Sequence, residues 1–130
     1  MDESQEEIQF SSTGPSRELR GIVHRPADRP RAGLVVTYGR SNDMRNVFVR
    51  RIAEAAAAWG LFALRFNFRY VDEKSAASRD LCIEEDDLRG AIRFLRNAAG
   101  AAPLFVAGKS MGARVCARAS SDPDVHTTSS

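Results

Sequence analysis

Apolar runs and amphipathic segments alternate along most of the chain. Three mainly apolar runs are typical of strands buried on both faces of a parallel sheet: residues 33–38, 61–68 and 104–107. Segments 46–60 and 82–99 carry apolar residues at helical spacing, and a third helix-forming segment follows residue 110. Near the N-terminus, residues 8–11 and 19–25 form extended patterns around a turn, which predicts an antiparallel strand pair.

The order of these elements predicts the fold class. Alternation of strands and helices calls for right-handed crossovers, a mostly parallel sheet and helices on both of its faces. We therefore expect a three-layer α/β/α domain of the α/β class, with the antiparallel N-terminal pair at one edge and strand 33–38 at the centre. Residues 71–80 are polar and are expected to form a loop.

The sequence makes specific predictions about two of the helices. The first is expected to have Asn46 as its N-cap, to end at Gly60, and to pack on the core through one apolar face: Phe48, Ile52, Ala55, Ala56 and Trp59. The second crowds four acidic residues, 84–87, into its first turns. Because the positive end of a helix dipole favours carboxylates, no metal site is predicted there.

Composition narrows the class of protein. The chain has 130 residues, 43% hydrophobic and 28% charged, which fits a single globular domain over residues 1–130. The net charge is +2 and the two signs are interspersed, so no nucleic-acid partner is expected. The acidic N-terminus does not resemble a signal peptide and no apolar run reaches membrane-spanning length, so a cytoplasmic protein without a membrane partner is the expectation.

The chain has only two cysteines and two histidines, the residues that most often bind metal ions. Cys82 and Cys116 fall among apolar neighbours in predicted helices and are expected to be buried free thiols. They form no zinc or disulfide pattern, and no cofactor is predicted. His24, beside Arg25 and Pro26, is expected to lie on the surface.

The turn Gly108-Lys-Ser-Met-Gly112 carries the candidate chemistry. A serine on a sharp strand-to-helix turn projects its hydroxyl above the sheet, and small flanking residues let the backbone pass closely. Ser110 is therefore the candidate nucleophile, and the N–H of Met111 a candidate oxyanion donor. A phosphate-binding loop would need glycine where Pro103 stands, so nucleotide binding is not favoured.

Arg65 and Asn67 interrupt an otherwise buried strand near its carboxyl end, where ligands gather in α/β sheets. They are open to two interpretations. They could form a ligand site, or they could be a hydrogen-bonding pair that holds the following loop, and we favour the second.

Three separated motifs resemble the α/β-hydrolase superfamily, in particular its dienelactone-hydrolase-like branch: VVTYGRSNDMRNVFVRRIAEAAAAWG, LFALRFNFRY and PLFVAGKSMGARV. The resemblance spans about residues 20–119. It implies Ser110 as nucleophile, Gly108 and Gly112 as elbow glycines, and the N–H groups of Met111 and Arg40 as the oxyanion hole. Such folds usually have histidine where this chain has Tyr38, so the resemblance departs from the family pattern at that position.

The resemblance also implies that the acid and histidine of a catalytic triad follow the serine on later strands. The sequence ends about twenty residues after Ser110, and Asp122, Asp124 and His126 lie in a polar stretch that is not expected to supply them. We therefore expect an incomplete α/β-hydrolase fold, truncated after the elbow helix, with a flexible tail over 120–130 and an exposed sheet edge open to a protein partner.

Two functions follow as expectations. One is a serine hydrolase acting on a small-molecule ester, lactone or related acyl substrate. The alternative is a non-catalytic interaction module, or a truncated pseudoenzyme, that keeps the hydrolase scaffold. Activity would depend on the missing acid and histidine.

Overall fold

The computed structural model describes residues 4–14 and 17–126. Over these residues the chain forms five strands and four helices, in this order: β1 (Gln5–Ser11), β2 (Glu18–His24), β3 (Ala32–Val36), α1 (Val47–Ala58), β4 (Leu61–Phe66), α2 (Arg69–Asp72), α3 (Cys82–Ala99), β5 (Leu104–Ala107) and α4 (Met111–Ala119). None of these helices is long and apolar enough to cross a membrane.

The strands form one mixed sheet with the order β1-β2-β4-β3-β5. β1 pairs antiparallel with β2, and β2 pairs antiparallel with β4. β3 pairs parallel with both β4 and β5, so it lies between the two other strands that end at the candidate site. The predicted α/β class and the antiparallel pair at one edge are confirmed.

The helices lie on both faces of the sheet. The crossover from β3 through α1 to β4 runs toward the β1 edge, whereas the crossover from β4 through α3 to β5 runs the other way. Right-handed crossovers in opposite directions place their helices on opposite faces. α4 packs against α3 and joins it on that face.

Close packing of α3 on the sheet depends on Gly33. A Cβ on Gly33 would overlap the side chain of Leu104 and lie 3.0 Å from a methyl group of Leu95 on α3. Large, fully buried side chains fill the layer around this contact and the adjoining strands: Leu19, Leu64, Phe66, Phe68, Leu88, Ile92, Leu95, Leu104 and Met111. All of these side chains belong to one hydrophobic core, which includes Met111, the residue after Ser110.

The prediction for the buried face of α1 was wrong. Asn46 caps the helix as predicted, since its side chain accepts from the N–H groups of Phe48 and Val49. The residues buried against the sheet are Val49 and Ala53, however, while Phe48 is 68% exposed and Trp59 is 76% exposed. Small side chains let the helix approach the strands closely, and the larger apolar residues are left on its flank.

The observed buried face of α1 predicts the outcome of two substitutions on this helix. Val49→Ala removes methyl groups from a residue that is 4% exposed and should lower the free energy of unfolding by about 2 kcal/mol. Ile52→Ala, at a position 46% exposed, should change it by less than about 0.5 kcal/mol. Urea denaturation of both variants measures the difference, and a larger loss from Ile52→Ala would contradict the observed face.

Two other expectations about individual residues were wrong. His24 is buried rather than exposed, and its ring accepts a hydrogen bond from the buried Arg65 on the neighbouring strand β4. Cys82 is exposed, with its sulfur 3.4 Å from the guanidinium of Arg118 at the surface, and only Cys116 is buried. The segment expected to be a loop over 71–80 also begins inside the short helix α2, which the sequence pattern did not indicate.

Part of the tail predicted to be flexible lies against the sheet. Val125 forms a parallel bridge with Leu104, and the N–H of His126 donates to the Leu104 carbonyl at 2.6 Å. Asp122 is buried and accepts a hydrogen bond from Arg89 at 2.9 Å. Residues 127–130 lie outside the described residues, and the flexibility of the tail and the domain boundaries stay predictions.

Candidate active site

The candidate nucleophile stands at the junction of β5 and α4. Ser110 has φ 60° and ψ −122°, a conformation that residues with side chains rarely adopt. Its side chain is exposed, and the helix begins at the next residue. A serine in this geometry is held up from the carboxyl end of the sheet, as the predicted nucleophile requires.

Two glycines make this turn sterically possible. A Cβ on Gly108 would overlap the Thr37 hydroxyl and lie 2.5 Å from the backbone carbon of Gly112. A Cβ on Gly112 would lie 2.7 Å from both the nitrogen and the oxygen of Tyr38. The turn therefore packs directly on the end of β3, and side chains at either position would force it away.

The N-terminus of α4 supplies the first candidate oxyanion donor. The Ser110 carbonyl accepts from the N–H of Ala113 at 3.1 Å, which starts the helical hydrogen-bond ladder. The N–H of Met111 belongs to the first turn, whose N–H groups have no acceptor within a helix. Together with the helix dipole, this makes the turn favourable for negative charge.

The loop between β3 and α1 lies beside the serine. A Cβ on Gly39 would be 3.4 Å from the Cβ and 3.8 Å from the Oγ of Ser110. Arg40, the other candidate oxyanion donor, is the next residue, and the loop turns back at Asn42, whose N–H donates to the Gly39 carbonyl at 3.1 Å. The structure thus brings the two predicted donor segments together around Ser110.

Tyr38 stands where the family pattern usually has histidine, and its side chain points into the protein. It is 2% exposed, packs edge-on against Phe68 at 5.4 Å between ring centroids, and its hydroxyl accepts from the N–H of Phe68 at 2.9 Å. Burial raises the pKa of this hydroxyl far above its usual range, so it stays neutral. Tyr38 therefore ties the start of the Gly39 loop to the segment that follows β4.

Tyr70 is a residue near the site that the sequence pattern did not reveal. Its hydroxyl lies 3.4 Å from the Arg40 carbonyl and 4.0 Å from the sulfur of Met111. Burial is the main cause that raises the pKa of this hydroxyl. Tyr70 thus contacts both segments that carry the candidate donors, and only its place just after a strand end could have indicated this.

A buried ion pair holds α2, which carries Tyr70. The Asp87 carboxylate accepts from the backbone N–H of Arg69 at 2.9 Å and from its guanidinium at 2.8 Å and 3.0 Å. Asp87 is fully buried and the Arg69 side chain is 15% exposed. The other acids of the run have separate partners: Glu84 accepts from Ser78, Glu85 from Arg89 and Arg118, and Asp86 from Thr13.

Across residues 4–14 and 17–126, no group of three or more His, Cys, Asp or Glu side chains is arranged to hold a metal ion.

Neither histidine of the chain lies near Ser110. His24 belongs to β2, three places from β5 in the sheet order, which is about 14 Å at the usual strand spacing. His126 packs its ring against Phe105 and bonds Leu104 at the start of β5, whereas Ser110 follows the other end. The described residues therefore bring no imidazole to the candidate nucleophile.

A protein-family model described as "Alpha/beta hydrolase domain" matches residues 30–129, which include the Gly39 loop, β4 and the turn at Ser110. The chain belongs to the α/β hydrolase family. The resemblance expected from the three sequence motifs is thereby confirmed.

This α/β hydrolase domain is similar to solved structures of α/β serine hydrolases. It is similar to an alpha-beta serine hydrolase homologue from Coxiella burnetii, with 25% identity, a TM-score of 0.75, and coverage of 91% of this chain and 59% of that chain. It is also similar to an a/b serine hydrolase without a lid from Xanthomonas campestris, with 27% identity, a TM-score of 0.68, and coverage of 89% and 56%.

A dienelactone hydrolase from Anabaena variabilis shares the fold, with a TM-score of 0.77 at 18% identity and coverage of 95% and 62%. This α/β hydrolase domain therefore spans about three-fifths of the length of these structures. A search of curated proteins found no match.

Proposed function

We propose that this domain carries the nucleophile and the oxyanion hole of a serine hydrolase that acts on a small ester, lactone or related acyl substrate. One observation carries the proposal. The exposed Ser110 has a strained positive φ between two donor segments, the first turn of α4 and the loop at Gly39. Strained backbone conformations of this kind cluster at functional sites in proteins.

The proposed chemistry follows from this arrangement. The Oγ of Ser110 attacks the acyl carbon while its proton passes to a base, and the resulting oxyanion is held by the N–H groups of Met111 and Arg40. When the tetrahedral intermediate collapses, the base returns its proton to the departing alkoxide, which leaves as the alcohol, and the acyl group stays on Ser110. Water then gives a proton to the same base, attacks the acyl carbon and releases the acid, and Ser110 regains its proton. Because His24 and His126 both lie away from Ser110, the base that accepts this proton is not a histidine of the described residues.

Imidazole in solution can stand in for that base, which gives a direct test. We expect a fluorophosphonate to label Ser110 at a rate that rises at least tenfold with added imidazole, since serine needs a base to be nucleophilic. Peptide mass spectrometry locates the label, and the exposed Ser121 serves as the internal reference. Ser110→Ala should abolish the imidazole-dependent label while leaving any label on Ser121 unchanged.

A second candidate function is a non-catalytic interaction module. It is favoured by the exposed apolar flank of α1, which includes Phe48 and Trp59, and by β5, the last strand of the sheet, whose outer edge pairs among described residues only with Val125. If a folded chain showed no imidazole-dependent label on Ser110, the hydrolase proposal would fail and this second function would stand.

A further inference from the structure

Side chains of β4 and its carboxyl end hold the peptide groups of Met44 from both sides. The guanidinium of Arg65 donates to the Met44 carbonyl at 2.8 Å, and the Met44 N–H donates to the Oδ1 of Asn67 at 2.9 Å. Met44 is 3% exposed, so both bonds are shielded from water. We call this group of three residues the Met44 clamp.

The clamp is itself anchored to elements on two sides. Arg65 donates from Nε to His24 on β2 at 2.9 Å and from Nη2 to Gln5 on β1 at 3.3 Å. Asn67 donates from Nδ2 to Asp72 on α2 at 3.0 Å. Arg65 and Asn67 thus hold the loop between β3 and α1, which the sequence did not predict, and Asn67 also bonds the segment that follows β4.

Arginine is a costly residue to bury in this position. The acceptors that its guanidinium bonds, on Met44, His24 and Gln5, are a carbonyl, an imidazole nitrogen and an amide oxygen. Burial without a bonded carboxylate lowers the pKa of Arg65. An apolar side chain would fill the same volume at lower cost, so what arginine contributes is its bond to the loop.

Only four residues, 40–43, separate the clamped Met44 from Gly39 at the serine. The turn closed between Asn42 and Gly39 further shortens this connection. A displacement of Met44 therefore moves Arg40 and changes where its N–H lies relative to Ser110. A displacement of about 1 Å at such a site can cost about 100-fold in rate.

We propose that Arg65 and Asn67 are positioning residues that fix the Arg40 N–H beside Ser110 through the Met44 clamp. This inference rests on the proposed function of Ser110. Asn67→Ala should slow imidazole-dependent labelling of Ser110 at least tenfold and speed hydrogen exchange of the amides in 39–46, with residues 104–112 unchanged.

An exchange of partners distinguishes positioning from loss of packing. In Asn67→Asp combined with Asp72→Asn, the carboxylate accepts from Met44 and from the new amide, so both bonds are kept. This double variant should label within about threefold of the wild type. Asp122→Asn, which disturbs a buried ion pair away from the loop, is the control and should leave both labelling and loop exchange unchanged.

Each remaining result decides the inference. Unchanged labelling in Asn67→Ala, or no recovery in the double variant, overturns it. If the wild type does not label, the proposed function fails, and loop exchange alone decides whether the clamp positions Arg40. If Asn67→Ala does not fold, Arg65→Met, which removes the donor to the Met44 carbonyl, is measured in the same way.

Discussion

Gly112→Ala is expected to lower the free energy of unfolding by about 3 kcal/mol, because the added Cβ would lie 2.7 Å from two backbone atoms of Tyr38. The nearest atom, the Thr37 hydroxyl oxygen at 2.5 Å, can rotate aside, but the backbone of Tyr38 just after β3 cannot. Relief requires α4 to move away from β3, which would also widen the space between Ser110 and Gly39. Urea denaturation measures the loss of stability, and the labelling rate of Ser110 measures the displacement.

A second glycine at the same site provides the matched control. The Cβ in Gly39→Ala would have its nearest neighbour, the Cβ of Ser110, at 3.4 Å, an ordinary contact distance. This variant should lose less than about 1 kcal/mol. If Thr37→Ala restored full stability to Gly112→Ala, the Thr37 hydroxyl would be the obstacle and the explanation through the Tyr38 backbone would be wrong.

The strand, turn and helix around Ser110 could be read from the sequence because their determinants are local. Leu104–Ala107 is an apolar run, and two glycines flank the serine at fixed spacing. The bounds of α3, Cys82–Ala99, also follow from a strong helical pattern within one segment. Neighbouring residues alone specify these elements, so no knowledge of the rest of the fold is needed.

The buried face of α1 could not be read in this way. Its larger apolar residues, such as Phe48 and Ile52, recur at helical spacing just as Val49 and Ala53 do. Which set is buried depends on how closely the helix approaches the sheet, and that distance is set by residues on β3 and β4. Ala53 is completely buried. In α1, close packing of the helix backbone on the sheet is therefore favoured over burial of the largest side chains.

The hydrogen bonds and side-chain contacts around the candidate site could not be predicted from the sequence either. The partners of Arg65 and Asn67 at Met44 lie more than twenty positions away in sequence, and Tyr70 meets Met111 across 41 positions. A polar residue in a buried strand signals that a partner exists but not which one. Only the sheet order, with β4 beside β3, brings the Met44 loop within reach.

Asp87→Ala is expected to cost about 4 kcal/mol of unfolding free energy, the range seen when one member of a buried ion pair is removed. It would leave the Arg69 guanidinium and the Arg69 N–H without the carboxylate that accepts from both. Because Arg69 opens α2, the loss should also loosen Tyr70 and its contact with Arg40. Urea denaturation measures the first effect, and hydrogen exchange of residues 69–72 the second.

A double-mutant cycle separates the ion pair from the packing of Asp87. Arg69→Met combined with Asp87→Ala removes the uncompensated cation, so the pair should recover at least about 2 kcal/mol relative to Asp87→Ala. The exposed pair Arg45–Glu7 is the matched control, and Glu7→Ala should change stability by less than about 0.5 kcal/mol. Equal losses from Asp87→Ala and Glu7→Ala would show that burial gives the Arg69–Asp87 pair no special role, and α2 would then have to be held by Tyr70 and its stacked neighbour Phe68.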